Sequence, residues 1–110
     1  MKTSEHQQLF VRHIVLLIQY AHIKGYEITF GDFYRSPSVH GEYGVKKSYS
    51  AGKSEHKRRL AADLNLFKDG KYLTTTEDHK VLGEFWESLD PLNRWGGNWD
   101  DGNHYERYIG

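Results

Sequence analysis

The sequence predicts an α+β fold in one domain spanning residues 1–110, a small antiparallel sheet packed with two main helices. Three observations carry the prediction. Apolar residues recur at the 3.6-residue period of a helix in two separate stretches. Between them, Leu60-Ala61-Ala62-Asp63-Leu64-Asn65-Leu66 carries an apolar residue at every second position, the period of a strand with one buried face. Asp69-Gly70, set between Phe67-Lys68 and Lys71-Tyr72-Leu73, is the dipeptide of a two-residue hairpin. A chain of 110 residues and 12.9 kDa fills one domain with a modest core.

The elements follow in order. Ser4 and Gln7 fit a capping box, and Leu9, Phe10, His13, Ile14, Leu17, Tyr20 and Ala21 then keep helical spacing up to Gly25, which suits a helix stop. The first helix is therefore expected over Ser4–Lys24. Tyr26-Glu27-Ile28-Thr29-Phe30 alternates and reads as a strand. Gly31–Lys53, rich in Gly, Ser and Tyr without periodicity, reads as a long loop. Thr75 and Asp78 form a looser capping box, and Val81, Leu82, Phe85, Trp86 and Leu89 make the buried face of a second helix ending before Pro91. Trp95-Gly96-Gly97-Asn98-Trp99 reads as a tight aromatic turn, its tryptophans core or cleft wall. Asn103–Ile109 is expected to be the last strand, with His104, Glu106 and Tyr108 on one face.

Composition excludes several classes. Three Trp, eight Tyr and five Phe fill a core that a disordered chain lacks. With no cysteine there is no disulfide scaffold and no thiolate metal site, so any metal must be held by His and carboxylate. The longest apolar run, Ile14–Ile18, is far short of the ~20 residues that span a bilayer. The N-terminus has no signal-peptide pattern, so synthesis in a cytoplasm is expected. Fifteen basic and fifteen acidic side chains cancel. They are not evenly spread: Lys46–Arg59 holds six Lys/Arg against Glu55 alone, and Glu77–Asp90 holds five acids against Lys80. These runs read as two solvated faces, or the basic one as a rim attracting an anionic polymer.

Seven histidines are many for this length. His6, His13 and His22 lie on the first helix without carboxylates clustered near them, and His13 reads as an imidazole at the core edge. His79, in the first turn of the second helix, is expected to face solvent. His40 sits in the long loop. His56 and His104 have better context: Asp63 follows His56 by seven residues on the polar face of its strand, and Asp101 precedes His104 by three. A catalytic zinc site needs three N or O ligands, an open position and a base nearby. His56, Asp63 and His104 could supply the ligands, and Asp101 or Asp100 the base. Glu106 shares the His104 face and reads as a surface acid before it reads as the partner of an imidazole.

Ser54-x-His56 with Asp63 seven residues after the histidine, then a Trp-rich stretch and Asp101-x-x-His104, resembles the M15 family of zinc peptidases. That family includes D-alanyl-D-alanine carboxypeptidases and dipeptidases and phage endolysins, and shares its fold with the zinc domain of hedgehog proteins. The resemblance covers roughly Phe30–Tyr105, and Leu60–Trp86 looks especially like short phage-encoded members. It implies that His56, Asp63 and His104 bind Zn2+, that Asp101 is the general base, and that Arg35 steadies the substrate carbonyl and the developing oxyanion. It also implies that Ser54 hydrogen-bonds near the metal or the substrate, with His40 near a position that contacts substrate in several members. One departure is Arg59, which stands where many members have glycine.

The function implied is hydrolysis of peptidoglycan stem-peptide bonds by zinc-activated water, at a D-Ala–D-Ala or an L-Ala–D-Glu bond. The same resemblance implies a monomeric endolysin, made in the host cytoplasm without inserting stably in the membrane, and reaching the wall once a holin opens it. Two other readings differ in class. One is a zinc-binding module without activity that recognises wall or a protein. The other is a nucleic-acid-binding domain using the Lys46–Arg59 run with Tyr43 and Tyr49, for which no binding motif is present and no nucleic-acid partner is expected.

Overall fold

The computed structural model describes residues 1–34 and 55–110. Helix α1 runs Thr3–Ile23, strand β1 Glu27–Phe30, and a 3-10 turn Glu55–Arg58 leads into strand β2, Ala61–Lys68. Strand β3, Lys71–Leu73, closes the hairpin. A 3-10 turn, Glu77–His79, runs into helix α2, Lys80–Leu89, and strand β4 follows at Asn93–Trp95. A third 3-10 turn, Gly96–Trp99, connects to strand β5, His104–Arg107. All pairings are antiparallel, in the order β1-β2-β5-β4, with β3 also on β2. The α+β expectation holds among the described residues.

The local chemistry explains the boundaries. Helix α1 starts a residue before Ser4, because the Glu5 carboxylate accepts the Lys2 backbone N–H at 2.8 Å. The predicted box at Ser4 and Gln7 does not form; Gln7 instead spends its amide on the Arg58 carbonyl, 2.8 Å away. Asp69 and Gly70 both take positive φ, 52° and 76°, as a type I′ turn requires. The Thr75–Asp78 box does form, each backbone N–H donating to the other's side chain at 3.1 Å.

β2 organises the core. Its alternate residues Ala62, Leu64 and Leu66, with Leu60 just before it, pack with Phe10, Ile14, Leu17 and Ala21 of α1 and with Leu82 and Trp86 of α2. Ala61, Asp63 and Asn65 therefore point to the opposite face. The strand Asn93–Trp95 takes in Trp95, the first residue of the expected aromatic turn Trp95–Trp99, while Asn93 and Arg94 precede that turn. The strand pairs Trp95 with Tyr105 and buries both. Trp95 is core and Trp99 is 46% exposed. An added Cβ at Gly83 would overlap the Trp95 indole, so glycine there lets the ring lie against α2.

His13 is buried at the core edge, as expected, and its Nδ1 meets Asn93 Nδ2 at 3.2 Å. His79 corrects the expectation of a solvent-facing ring: it is 2% exposed and its Nδ1 pairs with the Tyr105 hydroxyl at 2.8 Å. Burial pushes its pKa from an ordinary 6.5 down to about 4, the nearby Asp78 charge offsetting only part. The unfolded chain thus takes up this proton near 6.5 and the folded one near 4. Stability from neutral His79 is complete above 6.5 and is lost as pH falls from there to 4. Urea unfolding should show about 2 kcal/mol lost to this group between pH 7 and 4.5. His79→Gln should make that fall measurably shallower; an unchanged fall would refute the assignment.

Candidate metal centre

Register brings the first two donors together. In the antiparallel pairing of β2 with β5, Asp63 is the direct partner of His104 across 41 residues of chain. Directly opposed residues send their side chains to the same face, so the carboxylate and imidazole meet without any loop arranging them. Backbone bonds hold the β2 end: Gly31 N–H donates to Asp63 O at 2.8 Å, and Asp63 N–H to Asp32 O at 2.7 Å.

His56 arrives from the 3-10 turn. Arg58 forks onto both Glu55 oxygens at 2.6 and 2.8 Å and also donates to Gly110 O at 3.0 Å. Leu60 N–H closes the turn on Glu55 O at 2.9 Å. Closure requires residue 59 in the left-handed region, and Arg59 has φ 60°. That explains why glycine suits this position. The Arg59 guanidinium lies over the Tyr34 ring at 4.1 Å.

The three side chains converge. His56 Nε2 is 3.1 Å and His104 Nδ1 3.2 Å from the same Asp63 Oδ1, and one donor atom from each residue lies within 4.8 Å of the others. Both histidines are almost fully buried; the Asp63 side chain is 16% exposed. The outer ring nitrogens are engaged too. His56 Nδ1 is 3.2 Å from Phe33 O, a carbonyl that only accepts, and His104 Nε2 is 2.7 Å from Glu106 Oε1. With those nitrogens carrying protons, the inner Nε2 and Nδ1 offer lone pairs to the common point beside Asp63. Two imidazole nitrogens and one carboxylate oxygen match, in type and number, the donor set that zinc takes.

The electrostatics agree. Burial alone would make His104 harder to charge, and it is the largest single influence. Hydrogen bonds to Asp63 and Glu106, and their charges, together outweigh it and raise the pKa from 6.5 to about 9. Burial likewise opposes ionisation of Asp63, but bonds from His104 and His56 hold its carboxyl well below the usual range. The metal-free cluster therefore stores a proton on His104 that a cation must displace. Zinc binding at pH 7–8 should release about one proton and tighten as pH rises towards 9. Isothermal titration in buffers of different ionisation enthalpy checks this, and a heat independent of buffer would contradict it.

Of the two acids expected near the site, Asp101 is the closer. Its Oδ2 is 4.0 Å from His104 Nδ1 and its side chain is half exposed, whereas Asp100 accepts the Thr76 hydroxyl at 3.1 Å. The short turn that presents Asp101 depends on Gly96, where a Cβ would overlap the Asp101 carbonyl and press on His104. A polar cavity of about 210 Å3, lined by Asn65, Tyr72, Thr76, Asp101 and Asn103, opens beside it. A larger cleft of about 770 Å3 lies by the hairpin, between Lys68 and Glu84; neither lining includes His56, Asp63 or His104. Trp99 stands against the His104 ring at 5.8 Å.

Arg35, His40 and Ser54, and most of the Lys46–Arg59 run with Tyr43 and Tyr49, lie outside the described residues. Glu106 is not the surface acid expected: it is 4% exposed and bonded to His104. Its place two residues after His104 was the available signal. The Phe33 carbonyl, a backbone group, left no signal in the sequence.

Among the described residues no helix is long and apolar enough to cross a membrane. The chain matches a family model of the M15 peptidases, described as D-alanyl-D-alanine carboxypeptidase, over residues 48–107. No curated protein matches it. The matched segment contains His56, Asp63, Asp101 and His104.

Proposed function

The chain belongs to the M15 peptidase family, and from that premise we propose that it is a zinc-dependent peptidase of bacterial peptidoglycan stem peptides, acting as an endolysin. The observation that carries this reading is the cross-strand Asp63–His104 pair with His56 closing on the same oxygen. His56 Nε2, Asp63 Oδ1 and His104 Nδ1 would hold the ion. Zinc, when bound, supplies Lewis acidity that polarises an amide carbonyl and makes water acidic enough to attack near neutral pH.

The chain's own residues do the rest. Asp101 sits at the rim of the cluster, exposed enough to meet a water and close enough for one water to bridge it to the donor set. It takes the proton as water adds to the carbonyl, then returns it to the amine as the C–N bond breaks. Arg35 is assigned the role of offering a fixed cation where negative charge grows on the carbonyl oxygen. Ser54 and His40 are assigned to hydrogen bonds at the substrate edge.

An enzyme of this kind, made in the host cytoplasm, works as a monomer on the wall once a holin has permeabilised the membrane. Mass spectrometry of muropeptides released from purified peptidoglycan tests the substrate. The expected result is a new free amine and carboxylate at one stem-peptide bond, and the mass identifies D-Ala–D-Ala or L-Ala–D-Glu. Peptidoglycan left uncut by zinc-loaded protein would overturn the reading.

A further inference from the structure

We propose that Glu106, shared between His104 and Arg94, is a positioning residue that makes His104 a competent metal ligand by fixing its tautomer. The inference rests on the metal reading of the site. The row Ala61–Glu106–Arg94 runs across β2, β5 and β4 in direct register. Glu106 Oε1 accepts from His104 Nε2 at 2.7 Å, while Arg94 Nε and Nη2 both donate to Oε2, at 2.9 and 2.6 Å. Arg94 is itself held against the Tyr108 ring at 3.8 Å and faces Trp99 at 5.4 Å. Opposite Glu106 stands Ala61, whose small side chain leaves the row room.

Both neighbours of Glu106 are donors, and only a carboxylate offers an acceptor to each. A glutamine has one oxygen and one NH2 group. If its oxygen serves Arg94, its NH2 meets His104 Nε2, which must then become the acceptor. The ring proton moves to Nδ1, the atom 3.2 Å from Asp63 Oδ1, and the lone pair the ion needs is gone. Glu106→Gln, a near-isosteric change, is therefore expected to weaken Zn2+ binding by roughly 10–100-fold, the range for loss of an outer partner of a metal ligand. Arg94→Met alone leaves the carboxylate on His104 and should change affinity by less than about threefold, well short of that range. Combined with Arg94→Met, Glu106→Gln can turn its oxygen to His104, so the double variant should regain most of the loss.

The test is a competition titration with Zn2+ alone on the four full-length proteins, with 15N NMR of the His104 ring in the metal-free state at pH above 9. Supporting results are weak binding and an Nδ1–H ring in Glu106→Gln, with recovery of both in the double variant. If Glu106→Gln does not fold, Arg94→Met/Glu106→Gln is compared with Arg94→Met/Glu106→Leu, which has no acceptor and should bind at least about tenfold more weakly. Wild-type-like affinity in Glu106→Gln, no recovery in the double variant, or equal binding by the Gln and Leu doubles would overturn the proposal. Failure of the wild type to bind Zn2+ would instead refute the metal reading beneath it.

Discussion

Asp63→Ala is expected to abolish zinc binding and peptide hydrolysis together. Asp63 Oδ1 is the atom on which both imidazoles converge, at 3.1 and 3.2 Å, and it brings the only carboxylate of the three-donor set. Without it two neutral nitrogens remain, and their shared position loses its negative charge. Loss of an outer partner costs roughly 10–100-fold in affinity, and loss of a direct ligand costs more. Activity should fall to background even at millimolar zinc. Asp63→Asn keeps the shape but not the charge, and should fail nearly as badly. Inductively coupled plasma analysis of dialysed protein, beside an unfolding curve, checks both. A folded variant that keeps one zinc per chain would contradict the assignment.

Asp101→Ala should separate chemistry from metal binding. The side chain is half exposed at the rim and is not one of the three donors, so its removal leaves the donor set intact. As the proposed proton carrier it is worth about 10²–10⁴ in rate. The expected result is kcat lower by that factor with zinc content unchanged and KM little affected. The acidic limb of the kcat/KM profile should also disappear, since that limb reports the base in its ionised form. Near-normal kcat would remove Asp101 from the mechanism.

The residues that were legible in the sequence are those whose signal is local. The alternation through Leu60–Leu66 put Asp63 on the face away from the core, and Asp69-Gly70 located the hairpin, because both depend on backbone period and turn geometry. The meeting of Asp63 and His104 depends on a register between segments 41 residues apart, which no local pattern encodes; family resemblance supplied it. Glu106 and His79 failed for different reasons. Period two says that Glu106 shares the His104 face, but not that Arg94 and its stacked rings cover that face. Helical pitch turns residue 79 towards solvent, whereas Glu77–His79 is a 3-10 turn. The tighter turn, at 3.0 residues, changes the direction of the ring and lays it on Tyr105. Asn93–Trp95, only three residues long and followed by two glycines, carries too little alternation to read as a strand.

The most direct test titrates metal-free protein with Zn2+ while following peptide release from purified peptidoglycan. The expected result is no release in chelator and a linear rise with added zinc. A sharp break should come at one equivalent per chain, with no rise for Asp63→Ala. Release that persists in chelator, or that ignores added zinc, would contradict zinc dependence.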